Sequence, residues 1–297
     1  MEGIINTAIT IGKFDGLHIG HKELIKNLKK TAVQHNLKTI VFSFYPHPAT
    51  VINKTVFKCL CSKEENKALI KKECVDEYIE YPFNELMNIP PDKFINDILK
   101  KQLKCSILIV GEGFRFGKNR EGDINTFKNI CPALGIKVIE IPQLIEGEYA
   151  VSSSRIKNLL IDKNFTEAEK LLGKPYFITG IVERGKRVGH DFGFPTANIK
   201  IPEDKFAPQS GVYITKTIHN GISYPSVTNI GIKPTVSSEA EVNCETNLFN
   251  FNQDIYGEEI TVNFYKFIRG ETKFTTIDQL KLRINEDVNI SKKYWDK

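Results

Sequence analysis

The sequence predicts two folds in series: an α/β domain with a parallel sheet over residues 1–172, then an antiparallel barrel or sandwich ending in a helix over residues 173–297. Three observations carry this. Apolar runs alternate with amphipathic stretches through the first half, the signature of strand–helix units with helices on both faces of a parallel sheet. After about residue 173 the runs become short, β-branched or aromatic, and are split by glycine, proline and asparagine. A length of 297 residues also favours two cores over one.

Taken in order, "TAITIG" (7–12) is an apolar strand ending in glycine, followed by an amphipathic helix over 20–35 with Leu24, Ile25 and Leu28 on one face. "KTIVFSF" (38–44) is a second strand, stopped by "YPHP", whose prolines suit neither a helix interior nor a central strand. "SKEENKALIKKE" opens with a serine and a glutamate three residues later, a capping-box start. "VDEYIEYPF" reads as a strand, "PDKFINDILKKQ" as a helix begun by proline, and "SILIVG" (106–111) as a buried strand. "IKVIEIP" (136–142) is a further strand and "SSSRIKNLLI" (152–161) a short helix; the boundary falls at "LLGKPY" (171–176), where a helical pattern meets glycine and proline.

The second half offers "YFITGIVERG", "GVYITKTIHNG", "ISYPSVTNIG", "VNCETNLFNF" and "EITVNFYKFI" as strands. A last helix begins near Thr276, whose side chain can cap while Gln279 reaches back. Its Ile277, Leu280, Ile284 and Val288 recur at helical spacing and are expected to face a core, not a ligand.

Composition removes several function classes. The formal charge of +5 is spread over lysines, with no dense basic block interleaved with aromatics, so no nucleic-acid partner is expected. No apolar run reaches membrane-spanning length, so no membrane partner is expected either. The cysteines at 59, 61, 74, 105, 131 and 244 form no Cys-x-x-Cys pair, which argues against zinc. With no secretory signal, free thiols in a reducing cytoplasm are the expectation. The expected partners are small molecules, and a monomer is favoured.

The chemistry concentrates in four stretches. "DGLHIGH" (15–21) turns from a strand into a helix, at the sheet end where open α/β folds bind ligands and where helix N-termini favour anions. His18 and His21, three apart, share a helix face and can meet one phosphate. That arrangement suits a transferring phosphoryl group, for which catalysis is mostly positioning and charge stabilisation. "VGEGFRFGKNREGD" (110–123) leaves a strand with Gly111, Gly113 and Gly117 allowing backbone near a ligand, and "VSSSRI" puts Ser152, Ser153 and Ser154 at a helix start with Arg155 behind them. "GKRVGHDFGFPTANI" (185–199) spaces Gly185, Gly189 and Gly193 four apart, which suits loop flexibility or a β-bulge series and equally a flap around phosphates, and then offers Thr196 and Asn198, alternate residues whose oxygens can reach one Mg²⁺. It is not a Walker A loop, since no G-K-[ST] follows. Glu245, inside an apolar strand pattern, is either paired on an outer face or aimed into a pocket as a base.

In their order, "IGKFDGLHIGH", "FSFYPHP", "VGEGFRFGKNREGD" and "VSSSRI" resemble the FMN adenylyltransferase module of bacterial bifunctional riboflavin kinase/FAD synthetases. "GFPTANI", "GVYI", "NIGIKPTV", "CETNLFNF", "IYG" and "IRGETKF" resemble the riboflavin kinase module of the same family. The resemblance implies a Rossmann-like nucleotidyltransferase domain followed by a Greek-key barrel. It implies ATP as co-substrate, riboflavin, FMN and FAD as substrate and products, and Mg²⁺ or another divalent cation. It further implies that His18 and His21 stabilise the α-phosphate, that Gly12, Phe14, Asp15 and Gly16 with Ser152, Ser153, Ser154 and Arg155 bind ATP phosphates, and that Phe114, Arg115 and Phe116 meet the flavin. In the barrel it implies the 185–193 flap, Thr196 and Asn198 on Mg–ATP, and Glu245 as base on the ribityl 5′-hydroxyl.

The chain departs from the family pattern at Gly113, where Asp or Asn is usual, and at Ser154, where threonine is usual. Phe192 replaces leucine, Asn247 replaces the usual histidine, and Asn250 an aspartate. Two alternatives stay open: a riboflavin kinase whose adenylyltransferase is impaired by Gly113, and a flavin- or nucleotide-binding sensor without turnover.

Overall fold

The computed structural model describes residues 6–184, 195–233 and 241–296. Contacts divide the chain into two compact units, Met1–Ser153 and Ser154–Lys297.

In the first unit the strands β1 (Thr7–Ile11), β2 (Lys38–Tyr45), β3 (Glu77–Pro82), β4 (Cys105–Gly111) and β5 (Lys137–Ile141) form one sheet in the order β3-β2-β1-β4-β5. A separate two-stranded hairpin, β6 (Ile145–Glu146) and β7 (Tyr149–Ala150), follows. Every pairing in the main sheet is parallel, with Ile9 opposite Ile40 on one side and Leu108 on the other. Alternate side chains leave the sheet on opposite faces, and both faces are buried, which is why these strands read as unbroken apolar runs. Ile9, Ile11, Phe42, Leu108 and Val110 pack on one face with Phe94 and Phe127. Ala8, Val41, Ile107 and Ile109 pack on the other with Ile25 and Leu28 of α1 (Ile19–His35). The strand order reverses at β1, so the crevice at the carboxyl ends of β1 and β4 is the topological switch point.

Most helices start where the sequence places them. Ser62 and Glu65 form the expected capping box on α3 (Lys63–Lys72). The "YPHP" stop is also a start: Pro46 follows a cis peptide, and Pro48 opens a short α2 (Pro48–Asn53) whose first N–H is expendable. The proline-initiated helix begins as α5 (Pro91–Lys93) and continues as a π-helix over Phe94–Gln102, a widening that periodicity does not reveal. Pattern reading also passes over two short helices, α4 (Phe83–Leu86) and α6 (Ile124–Ile130).

The second unit opens with α7 (Ser153–Ile161) and α8 (Phe165–Leu172), which ends at Gly173 with a left-handed φ of 68°. Phe165 of α8 meets Tyr213 edge-on and stacks near Phe264. The strands β8 (Tyr176–Glu183), β9 (Ala197–Lys200), β10 (Gly211–His219), β11 (Ile222–Lys233), β12 (Glu241–Leu248) and β13 (Glu259–Arg269) close an antiparallel barrel in the order β10-β11-β12-β9-β8-β13. Three consecutive strands, β10 to β12, with β9 returning beside β12, make a Greek key.

Apolar side chains such as Ile178, Ile199, Val262 and Phe264 fill part of the barrel. The rest is polar. Thr215, Thr217, Ser226, Thr228 and Thr246 are each 0% exposed. Their hydroxyls close a ring: Thr215 to Ser226 (2.8 Å), Ser226 to Thr217 (3.0 Å), Thr217 to Thr246 (3.1 Å), Thr246 to Thr228 (2.9 Å) and Thr228 to Thr215 (2.7 Å). Each hydroxyl can donate once and accept once around the circle, so burial leaves none unsatisfied.

The terminal helix α9 (Ile277–Trp295) is capped by Thr276, as its sequence predicts, and lies over the barrel with Val288 packed against Val212, Val227 and Phe249. Its apolar stripe is not uniformly core-facing: Ile277 is exposed, while Leu280 and Ile284 line a cavity. Among the described residues, no helix is long and apolar enough to cross a membrane.

Candidate active sites

The first site is built on the turn between β1 and α1. Gly12 ends the strand, and residues 15–17 form one tight turn with Gly16 at φ 78°. Phe14 and Leu17 also take left-handed φ values, 51° and 44°, although both are bulky and fully buried. Packing therefore holds a conformation that the side chains alone disfavour, as is common where a chain is bent to serve a ligand. Cross-links fix the turn further: the Cys61 N–H donates to Asp15 Oδ1 (3.2 Å), and the Ser153 hydroxyl donates to the Asp15 carbonyl (3.0 Å). Phe14 and Asp15 thus shape the loop from within.

His18 is the N-cap of α1, and its Nδ1 accepts the His21 N–H at 3.3 Å. That bond assigns the proton of a neutral His18 ring to Nε2, leaving the far nitrogen as the donor. The His18 and His21 rings stack at 3.6 Å, with Phe14 beneath His21 at 5.2 Å. Gly20 makes this possible: a Cβ there would sit 3.3 Å from Cε1 and Nδ1 of His18. The i, i+3 spacing read in the sequence is a pair of imidazoles held face to face at the positive end of a 17-residue helix.

The second strip of the crevice follows β4. Gly113 has φ +76°, a conformation that Gly, Asn and Asp tolerate best. Backbone geometry is therefore indifferent to which of the three stands there, and a side chain at this position would begin 3.7 Å from Gln143 Nε2. Phe116 is buried, stacked on Phe127 at 4.0 Å and near Phe94 at 5.5 Å; it anchors the loop in the core. Phe114 is half-buried, and Arg115 is exposed and pairs with Asp123 at 3.4 Å. Ser152 and Ser153 close the first unit, whereas Ser154 and Arg155, in the first turn of α7, belong to the second.

The barrel site rests on the pairing of β9 with β12. Glu245 lies directly opposite Asn198 in the ladder. Asn243, Glu245 and Asn247, alternating along β12, share the face that Asn198 occupies. Asn243 Nδ2 donates to Asn198 Oδ1 (3.1 Å) and to Glu245 Oε1 (3.0 Å), and Asn247 Nδ2 donates to the Pro195 carbonyl (2.7 Å). Asn198 in turn reaches back to the Thr196 carbonyl at 3.4 Å. Thr196 itself precedes the strand. Gly185, Gly189 and Gly193 lie outside the described residues.

Two cavities meet at Thr196. One of about 590 Å³ is lined by Thr196, Glu245 and Asn247, by Leu280 and Ile284 of α9, and by residues 271–274. The other, of about 340 Å³, is lined by Pro195, Thr196 and Ala197 with residues 251–256. Both are within the range of small-molecule sites. Arg269 and the buried Asp287, which also line the larger cavity, pair at 2.7 Å and tie α9 to β13. Sequence reading missed Asn243, Arg269, Leu280 and Ile284; only the apolar spacing of the last two carried a signal.

The sequence-predicted oxygens for a divalent cation are Thr196 Oγ1 and Asn198 Oδ1; here Oδ1 accepts from Asn243, and Asn198 Nδ2 lies 3.5 Å from Thr196 Oγ1. Among the described residues, no group of three or more His, Cys, Asp or Glu side chains could hold a metal. Two neutral oxygens, that of Thr196 on the wall of both cavities, fit a hard cation that also relies on substrate phosphates, and suit Mg²⁺ better than zinc.

Residues 2–155 match the FAD synthetase family and residues 172–295 the riboflavin kinase family. The chain is 36% identical to the bifunctional riboflavin kinase/FMN adenylyltransferase of Buchnera aphidicola subsp. Schizaphis graminum, over 98% of this chain and 95% of that protein. It is 33% identical to the proteins of the same name from Escherichia coli K12 and Bacillus subtilis, each over 97% of this chain and 92% of the relative. A crystal structure described as a macrolide-efflux protein from Streptococcus pneumoniae superposes with a TM-score of 0.87 at 28% identity, over 98% of this chain and 95% of that one. The chain belongs to the bifunctional riboflavin kinase/FMN adenylyltransferase family.

Proposed function

We propose that the barrel phosphorylates riboflavin to FMN with ATP, and that the α/β unit adenylylates FMN to FAD with release of pyrophosphate. The observation that carries the reading is the placement of Glu245, a carboxylate in register with Asn198, on the wall of a cavity large enough for a flavin. A binding protein has no need of a base there. The functional boundary is placed at residues 172/173, with α7 and α8 leading into the barrel.

In the barrel, riboflavin takes the larger cavity, its ring system against Leu280 and Ile284, and the nucleotide takes the smaller one. Thr196, common to both, then stands where the γ-phosphoryl group passes from one to the other. Glu245 accepts the proton of the ribityl 5′-hydroxyl as that oxygen attacks phosphorus, and ADP leaves. Thr196 and Asn198 would hold Mg²⁺, which when bound neutralises triphosphate charge. The 185–193 glycines are assigned to the phosphates by their sequence pattern.

In the α/β unit, the FMN phosphate attacks the α-phosphorus of ATP, and no covalent enzyme intermediate is needed. His18 Nε2 and His21 donate to the α-phosphate oxygens as negative charge builds on them. The turn from Gly12 to Gly16, with Ser152 and Ser153, binds the phosphates, Ser154 and Arg155 are assigned to them by their sequence pattern, and Phe114 and Arg115 meet the flavin above the Phe116 anchor. The left-handed Gly113 preserves the loop, which favours two working activities over an isolated kinase. Six cysteines outside any disulfide fit a reducing cytoplasm. The efflux description of the streptococcal structure does not extend to this chain, which carries both sets of transferase residues.

Glu245→Gln tests the reading. It should lower FMN formation by about 10²–10⁴-fold, the usual contribution of a general base, and leave conversion of supplied FMN to FAD unchanged. Loss of both activities together in a folded variant would refute the assignment of separate sites.

A further inference from the structure

We infer that Asn243 is a positioning residue for riboflavin phosphorylation, setting the catalytic carboxylate and the cation-binding amide with one nitrogen. The inference rests on the kinase reading of the Glu245 site.

Asn243 is only 9% exposed, so its side chain is committed to protein partners. Its Nδ2 carries two protons, and both are used: one toward Glu245 Oε1 at 3.0 Å, the other toward Asn198 Oδ1 at 3.1 Å. The geometry follows from the sheet. Asn243 and Glu245 are two apart on β12 and share a face, while Asn198 faces Glu245 across the ladder and Asn243 diagonally. A single amide therefore spans the base on one strand and the proposed cation ligand on its neighbour.

Only a side-chain amide brings two uncharged protons on one nitrogen, and glutamine would carry them one methylene farther from the strand. A hydroxyl brings one proton, a carboxylate brings none, and a lysine would enter as a full charge beside Glu245. Donation to Asn198 Oδ1 fixes that amide with its oxygen beside Asn243 and its Nδ2 toward Thr196, 3.4 Å from the carbonyl and 3.5 Å from Oγ1, so a cation would meet the second lone pair of Oδ1. An Asn198 flipped by 180° would offer its NH₂ to the cation, which cannot bind it. Donation to Glu245 Oε1 fixes the rotation of the carboxylate, and with it the direction in which a proton is taken. Asn247 supports the same segment from the other side by holding the Pro195 carbonyl at 2.7 Å. The two asparagines thus bracket Glu245 and clasp the segment that carries Thr196 and Asn198.

The test compares Asn243→Asp, which keeps the shape but removes both donors, with Asn243→Ala. Both should lower kcat for FMN formation by about tenfold or more, with the riboflavin KM within about twofold of the unaltered enzyme, because the group acts on orientation and not on flavin contact. ADP binding, measured by calorimetry with and without Mg²⁺, should lose about tenfold only when Mg²⁺ is present, a readout independent of turnover. FMN-to-FAD conversion should not change. A fold defect alone would weaken ADP binding with and without Mg²⁺ alike, and would count against the inference. So would a kcat and a Mg²⁺-linked affinity both within twofold of the unaltered enzyme, while Glu245→Gln is inactive. If Glu245→Gln still phosphorylates riboflavin, the kinase reading itself fails.

Discussion

The hydroxyl ring inside the barrel makes a quantitative prediction. Thr217→Val keeps the shape of the side chain, so it opens no cavity, but it breaks two ring bonds, to Ser226 and to Thr246. One neighbour is left with a proton and the other with a lone pair, both in a site that water does not reach. At roughly 1–3 kcal/mol for a buried polar group that loses its partner, the variant should lose about 2–4 kcal/mol. A Thr217→Val/Thr246→Val double variant removes the bond between them only once, so it should cost about 1 kcal/mol less than the sum of the singles. Trp295 is the sole tryptophan and lies on α9 against Tyr265 (4.9 Å) and Lys216 (4.2 Å), so its fluorescence reports the unfolding of the barrel. In a urea titration, the midpoint should fall by about 1–2 M, whereas Thr217→Ser should shift it much less. A Thr217→Val midpoint within about 0.3 M of the unaltered protein, or strict additivity in the double variant, would refute the ring as a cooperative element.

Two further outcomes follow from the α/β unit and the thiols. Gly20→Ala should not lower stability, since alanine favours a helix over glycine by roughly 0.5–1 kcal/mol. Yet the new methyl 3.3 Å from the His18 ring should displace it and cost about tenfold or more in FMN adenylylation, with FMN formation unaffected; adenylylation within twofold would contradict the stacked-histidine geometry. On alkylation at pH 8, the exposed Cys74 should react first, while Cys105 and Cys244, whose thiols burial pushes far above the ordinary range, and Cys131, pushed up to about 11 by burial, should stay unlabelled until the protein unfolds. Early labelling of Cys105 in peptide mass spectrometry would contradict the packing of β4.

Much of this is legible in the amino-acid sequence, because the relevant physics is local. The His18–His21 pair is readable since helical spacing alone puts i and i+3 on one face, and the β1 strand is readable since it is apolar on both sides. What stayed hidden depends on register. Asn243 and Asn198 are 45 residues apart, and nothing in either segment says that β9 will lie beside β12 with Glu245 opposite Asn198. The hydroxyl ring was hidden for the same reason: Thr215, Thr217, Ser226, Thr228 and Thr246 look like the wet face of amphipathic strands, yet they point inward and satisfy one another. The α9 stripe was readable as an apolar face, but only its packing shows that Leu280 and Ile284 look onto a cavity while Ile277 does not. Phe116 reads as a ligand contact from its loop, and the stack with Phe127 and Phe94 makes it a core residue.

The most direct test of the account is a time course of the purified protein with riboflavin, ATP and Mg²⁺, with the flavins separated chromatographically. The account predicts that FMN appears first and is then converted to FAD, with pyrophosphate released in step with FAD. Accumulation of FMN without FAD, or no flavin product at all, would contradict it.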